Sequence, residues 1–160
     1  MENKPINRNE HIVSLSKDHH TTLLFCWKIR TGLKHEVAVD RMVSYVQYFW
    51  QQHLLPHFVE EETILFLPVQ DDMVHRALIE HRKIRGNIKV LHNAGEDTKI
   101  QLAALANLVD DHVRYEEREL FPHLEQILTN AQLERIGKQL NEKHEKFKDN
   151  FADEFWLSKT

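Results

Sequence analysis

The sequence predicts an all-α fold: an up-down-up-down antiparallel four-helix bundle with an additional C-terminal helix. Only four glycines and four prolines punctuate 160 residues, too few turn formers for a strand-rich domain. Apolar residues recur at three- and four-residue spacing along most of the chain, which is the period of a half-buried helix. The stretches between these periodic segments are short, so consecutive helices are expected to lie antiparallel. A chain of this length buries roughly two-thirds of its unfolded surface around one core. Residues 1–160 therefore read as a single domain, with a bundle core at about 11–128 and a C-terminal helix at about 130–150.

The first helix is expected from Ile12 to Leu33, where Ile12, Leu15, Leu23, Cys26, Ile29 and Leu33 form a stripe and Gly32 stands near the end as a terminator. The second runs from Val37 through Met42, Val46, Phe49, Trp50, Leu54, Phe58 and Leu65 to a stop at Pro68. Pro56 sits inside it, one residue before His57, and its ring removes a backbone hydrogen bond and bends the axis. A third helix spans about Asp72 to His92 and is closed by Gly95. The fourth spans about Asp97 to Leu128 on a stripe of Leu102, Leu105, Leu108, Val109, Val113 and Leu120. Thr129 to Gln132 reads as a capping box that opens a fifth helix carrying Leu133, Ile136, Leu140, Phe147 and Phe151. Phe155, Trp156 and Leu157 form either a docked end or a subunit contact.

Charge and composition exclude several classes. With 21 Lys and Arg against 25 Asp and Glu, the net charge is -4. That gives no overall attraction to a phosphate backbone or an anionic membrane, so neither nucleic acid nor membrane is expected as a partner. Met1 to Glu10 lacks the apolar stretch of a signal peptide, and no run approaches the ~20 apolar residues that span a bilayer. Cys26, the sole cysteine, has no internal partner for a disulfide, which suits a cytoplasmic location. The unusual feature is an excess of histidine, with twelve in the chain.

Those histidines fall into an internal repeat. Lys17-Asp18-His19 in the first helix has a counterpart in Ile79-Glu80-His81 in the third. His57-x-x-x-Glu61 followed by Leu65-Phe66-Leu67-Pro68 is matched by His112-x-x-x-Glu116 followed by Leu120-Phe121-Pro122. Positions i and i+4 share a helix face, so each pair sets an imidazole beside a carboxylate. Two such pairs and one histidine from each remaining helix provide four nitrogens and two carboxylates. That set suits two first-row metal ions bridged by carboxylate. Bound cations would also offset the cost of burying Glu61 and Glu116. One His-x-x-x-Glu on its own is common on solvated faces, whereas its duplication in register with His19 and His81 is not.

With these residues in place, the chain resembles the hemerythrin-like (HHE) family of cation-binding proteins over roughly residues 11 to 128. The family carries the pattern His, His-x-x-x-Glu, His, His-x-x-x-Glu. The resemblance implies metal ligands at His19, His57, Glu61, His81, His112 and Glu116, with two non-haem iron ions as cofactor, other divalent metals being an alternative. It assigns His19 and His57 to one iron and His81 and His112 to the other, with Glu61 and Glu116 bridging. Oxygen-carrying members have a fifth histidine four residues from another on the third helix, where this chain has Ala77 and Arg85 on either side of His81. Their last carboxylate is an Asp five residues after the histidine, where this chain has Glu116 at four. Both departures weigh against simple reversible oxygen carriage. His53, four residues before His57, is a candidate for the missing nitrogen, or else a histidine hydrogen-bonded behind the ligands. His20 points about 100° away from His19.

The other candidates have simpler readings. His144 is expected as a satisfied, partly buried histidine, and Phe49, Trp50, Phe58, Phe121 and Cys26 as core. His11, His35, His75, His92 and His123 read as surface or helix-end residues. No histidine follows a Glu by three residues, which disfavours ferritin-like sites. The residue after His53 is Leu54 where a zincin needs Glu, and one cysteine excludes thiolate zinc and iron–sulfur clusters. The functional expectation is a di-iron protein that binds dioxygen, nitric oxide or peroxide, or that senses or stores iron. The alternative is a redox enzyme that reduces peroxide or nitric oxide or repairs iron centres. A homo-oligomer is left open.

Overall fold

A computed structural model describes residues 7–91 and 96–157. These residues are helical with no strand among them, and four rods enclose the core. The first rod is α1 (Val13–Lys34). The second comprises α2 (Val39–Phe49), a π turn (Trp50–Leu54), α3 (Leu55–Glu60) and a second π turn (Glu61–Leu65). The third is α4 (Asp72–Lys89), opened by the Asp71 carboxylate, which accepts from Val74 N–H at 3.0 Å. The fourth comprises α5 (Glu96–Tyr115), a π turn (Glu116–Leu120) and α6 (Phe121–Ile127). The predicted closure of the third helix at His92 and Gly95 lies outside the described residues. Pairings of Arg8 with Glu125, His19 with Glu117 and Arg30 with Asp110 show α1 running antiparallel to the fourth rod.

Sequence and structure differ at the ends and at the prolines. Gly32 is not the terminator of α1. The helix continues to Lys34, and the left-handed residue after it is Glu36, at φ 54°. Gly32 is small because a Cβ there would stand 2.7 Å from Met42 Sδ and 2.8 Å from Phe155 Cε1. Pro56 falls in the first turn of α3, where a missing N–H is tolerated. The π turn before it absorbs the disruption, with Leu55 N–H reaching back to the Trp50 carbonyl. Pro122 opens α6 in the same way, after the π turn at Glu116.

The capping box forms as expected: Thr129 Oγ1 accepts from Gln132 N–H, and Gln132 Oε1 accepts from Thr129 N–H. The helix it opens, α7 (Asn130–Lys143), is shorter than the predicted 130–150. Residues 144–154 instead form an extended strap, because Asp149 and Asn150 use non-helical partners. The Asp149 carboxylate accepts from Lys28 Nζ at 2.7 Å, Tyr45 Oη at 2.5 Å and Phe151 N–H at 3.1 Å, and Asn150 N–H donates to Tyr48 Oη at 3.0 Å. The strap ends in a 3-10 turn (Phe155–Leu157) whose Phe155 is fully buried beside Tyr45, so the tail is a docked end.

Two apolar clusters fill the rods. One surrounds Phe25, Ile29, Met42, Phe49, Leu105 and Val109, and the other surrounds Leu15, Leu65, Val74, Leu120, Phe121 and Leu124. On α1, α4 and the fourth rod, the buried His19, His81 and His112 fall between the stretches that feed each cluster, and Glu116 lies one turn beyond His112. The polar residues thus occupy a dry layer in mid-bundle. Among the described residues no helix is long and apolar enough to cross a membrane.

Candidate metal centre

The i,i+4 spacing places His57 Nε2 3.3 Å from Glu61 Oε2, and His112 Nε2 3.4 Å from Glu116 Oε1. The bundle then brings the other two histidines to the same carboxylates. His19 Nε2 lies 2.9 Å from Glu116 Oε1 and 3.8 Å from Glu61 Oε2. His81 Nε2 lies 3.1 Å from Glu61 Oε1 and 3.8 Å from Glu116 Oε2. All six residues named from the sequence therefore meet, and none is left outside. They form two buried groups able to hold a metal ion: His19, His57, Glu61 and Glu116, and Glu61, His81, His112 and Glu116. Glu61 turns Oε2 to the histidines of the first group and Oε1 to His81 of the second. Two ligand atoms each ~2.1 Å from one ion lie about 3.0–3.4 Å apart, and the closer contacts here match that separation.

Each carboxylate of the centre also opens a π turn. Phe66 N–H reaches the Glu61 carbonyl at 2.8 Å, and Phe121 N–H reaches the Glu116 carbonyl. A π turn inserts one residue and rotates the downstream side chains around the rod. Phe66 and Phe121 consequently face the histidines, and Phe121 stacks on His19 at 5.2 Å between centroids. Phe58 stacks on His81 at 3.8 Å. Phe58 and Phe121 are core, as expected, and with the equally buried Phe66 they also form the dry walls of the site.

Sequence reasoning missed the carboxylates behind the ligands. Every ring donates its outward Nδ1–H to one: His19 to Glu117 at 2.6 Å, His57 to Asp18 at 2.9 Å, His81 to Glu62 at 2.7 Å and His112 to Glu80 at 2.7 Å. The repeat contained the signal. Asp18 and Glu80 each precede a site histidine, and Glu62 and Glu117 each follow a site glutamate. Such partners fix ring orientation and raise the basicity of the inward nitrogen. Arg8 in turn holds Glu117, with Nη2 2.9 Å from Oε2.

The electrostatics favour positive charge in the cluster. Burial, the largest influence on each ring, works against protonation, but the surrounding carboxylates outweigh it. His19 is held up at about 9, His57 and His81 well above their ordinary value, and His112 above it. Burial likewise opposes ionisation of Glu116, but the facing histidines hold its carboxyl well below the usual range. Among the described residues six buried side-chain atoms have no hydrogen-bond partner, namely Nε2 of His57, His81 and His112, both oxygens of Glu61, and Oε2 of Glu116. Buried polar atoms are rarely left unpaired, and here all six face one spot.

Three further histidines, His53, His20 and His144, lie apart from these two groups. His53 is buried with Nε2 3.4 Å from the Asp18 carbonyl and its ring against Phe147, and burial pushes it down to about 4. His20 is exposed. His144 binds Glu60 and Asp18 from outside.

Neither the curated proteins nor the solved structures provide a match. A family model, the hemerythrin HHE cation-binding domain, matches residues 10–124 and contains all six residues of the centre. The chain belongs to the hemerythrin HHE cation-binding family.

Proposed function

We propose that this protein binds two metal ions at the centre through His19, His57, Glu61, His81, His112 and Glu116, that the metal is iron, and that it serves to bind dioxygen, nitric oxide or peroxide or to report on iron. The observation that carries this is the set of six unpaired, inward-facing buried donor atoms. Imidazole and carboxylate without thiolate suit iron in its common oxidation states, and the opposed oxygens of Glu61 suit a pair of ions. Iron held by these six residues would supply one-electron chemistry and a place for a small ligand to bind.

The chain's own residues do the rest. Asp18, Glu62, Glu80 and Glu117 keep a proton on each Nδ1 and aim each Nε2 inward. Phe58, Phe66 and Phe121 keep bulk water away from the rings. Cys26 takes no part: burial pushes its thiol up to about 12, so it stays protonated in the cytoplasm we assign to the protein.

The test is metal content per chain after anaerobic purification, followed by the visible spectrum before and after admitting air. Two irons and new ligand-to-iron bands on oxygenation support the reading. One zinc, or no metal, refutes it. Sustained consumption of peroxide or nitric oxide with an electron donor would make the protein a redox enzyme instead of a binding protein.

A further inference from the structure

Past residue 124, where the family match ends, the chain returns to the centre from outside. The end of α7 places His144 Nδ1 2.8 Å from Glu60 Oε2 and Nε2 3.3 Å from Asp18 Oδ1. Asp18, Glu60 and His144 each offer one ligand atom within 4.8 Å of the others. Their side chains are 10%, 12% and 17% exposed, dry enough to strengthen an ionic interaction while still open to exchange. Asp18 has two duties, since its other oxygen, Oδ2, accepts from His57 Nδ1 at 2.9 Å.

These three residues line a cleft of about 470 Å³ that His53 and His57 also border. Of the four histidines of the centre, His57 is the one on this cleft. The trio and one histidine of the centre thus share a single cleft.

We propose that Asp18, Glu60 and His144 form a third, outlying divalent-cation site, through which metal passes to the two-metal centre. Two carboxylates and one imidazole are the donors that first-row divalent ions take, and three protein ligands leave positions for water from the cleft, as in an open site. In the absence of a cation the three groups satisfy one another, and Lys143, Lys146 and Lys148 also line the cleft. Both features make this site weaker than the centre.

The experiment is an anaerobic Co²⁺ titration of metal-free protein, read by visible absorption and equilibrium dialysis, with the filling rate followed by stopped flow. His144→Ala and Glu60→Gln are compared with the wild type, and circular dichroism checks that both fold. The wild type is expected to take three ions, the third at least ~10-fold more weakly than the first two. Each variant is expected to take two, with unchanged affinity, and to fill at least ~10-fold more slowly. A wild type that stops at two ions, or a third ion that persists in both variants, overturns the site. Loss of the third ion with unchanged filling overturns the route. A wild type that binds one ion, lost in both variants, upholds this site and overturns the two-metal centre.

Discussion

Removing the metal is expected to destabilise this fold severely, by an amount set by the unpaired atoms. Among the described residues the six buried atoms facing the centre make no hydrogen bond, only ion-pair contacts with the facing groups at 3.1–3.8 Å, and leaving one such atom unsatisfied costs about 1–3 kcal/mol. At the low end, six cost ~6 kcal/mol, about half the total stability of a typical domain. For a chain of this size each 1 kcal/mol moves the melting temperature by roughly 2–4 °C, so the loss is about 12–24 °C. Protons compete for the same place. His19 is held up at about 9 from an ordinary 6.5, against burial, by Glu116 and Glu117. A raised folded-state value means that the stability lent by protons is fully present below about 6.5 and lost as pH rises through about 9. The gap between loaded and stripped protein should therefore widen from pH 6.5 to pH 9. Thermal melts by circular dichroism of loaded, chelated and reloaded protein measure it. Loaded and stripped samples that melt within about 3 °C of each other at pH 9 would refute the reasoning.

Other consequences are more local. Glu80→Gln keeps the size of the group that accepts from His112 Nδ1 but removes its charge, and should weaken metal binding about 10–100-fold in a chelator competition. Unchanged affinity would mean that the outer carboxylates do not tune the rings. Phe155→Ala empties a fully buried site against Tyr45 and Gly32, and should cost about 3–5 kcal/mol in denaturant unfolding while leaving metal content unchanged. A cost under about 1 kcal/mol would show that the tail is not docked. Asp149→Asn weakens the bonds to Lys28 and Tyr45, at about 1.5–3 kcal/mol near neutral pH. Burial raises the Asp149 carboxyl, but its hydrogen bonds outweigh that and hold it below 3.8. The stabilisation is therefore present above that value and lost as pH falls through the folded value. Variant and wild type should converge in acid, and a difference that persists at pH 2 would contradict this.

The six residues of the centre were legible because their geometry is mostly local. His57 with Glu61, and His112 with Glu116, need only the helical period, and duplication marked them as a pair. The partners behind them needed the third dimension. Glu62 meets His81 and Glu117 meets His19 across different rods, so the repeat marks these acids without naming the histidine that each one meets. The π turns were invisible because their residues have ordinary helical propensities, and the extra residue shows only in the backbone hydrogen bonds at Glu61 and Glu116. The fifth helix was overextended because Phe147 and Phe151 keep a four-residue spacing that an extended strap satisfies equally well. Asp149 and Asn150 between them, with their preference for local side-chain bonds, were the overlooked signal.

Anomalous scattering at the iron edge from crystals of iron-loaded protein tests the central claim most directly. Two peaks are predicted between the carboxylates of Glu61 and Glu116, one beside His19 and His57 and the other beside His81 and His112. A single peak, or peaks away from those four rings, would contradict it.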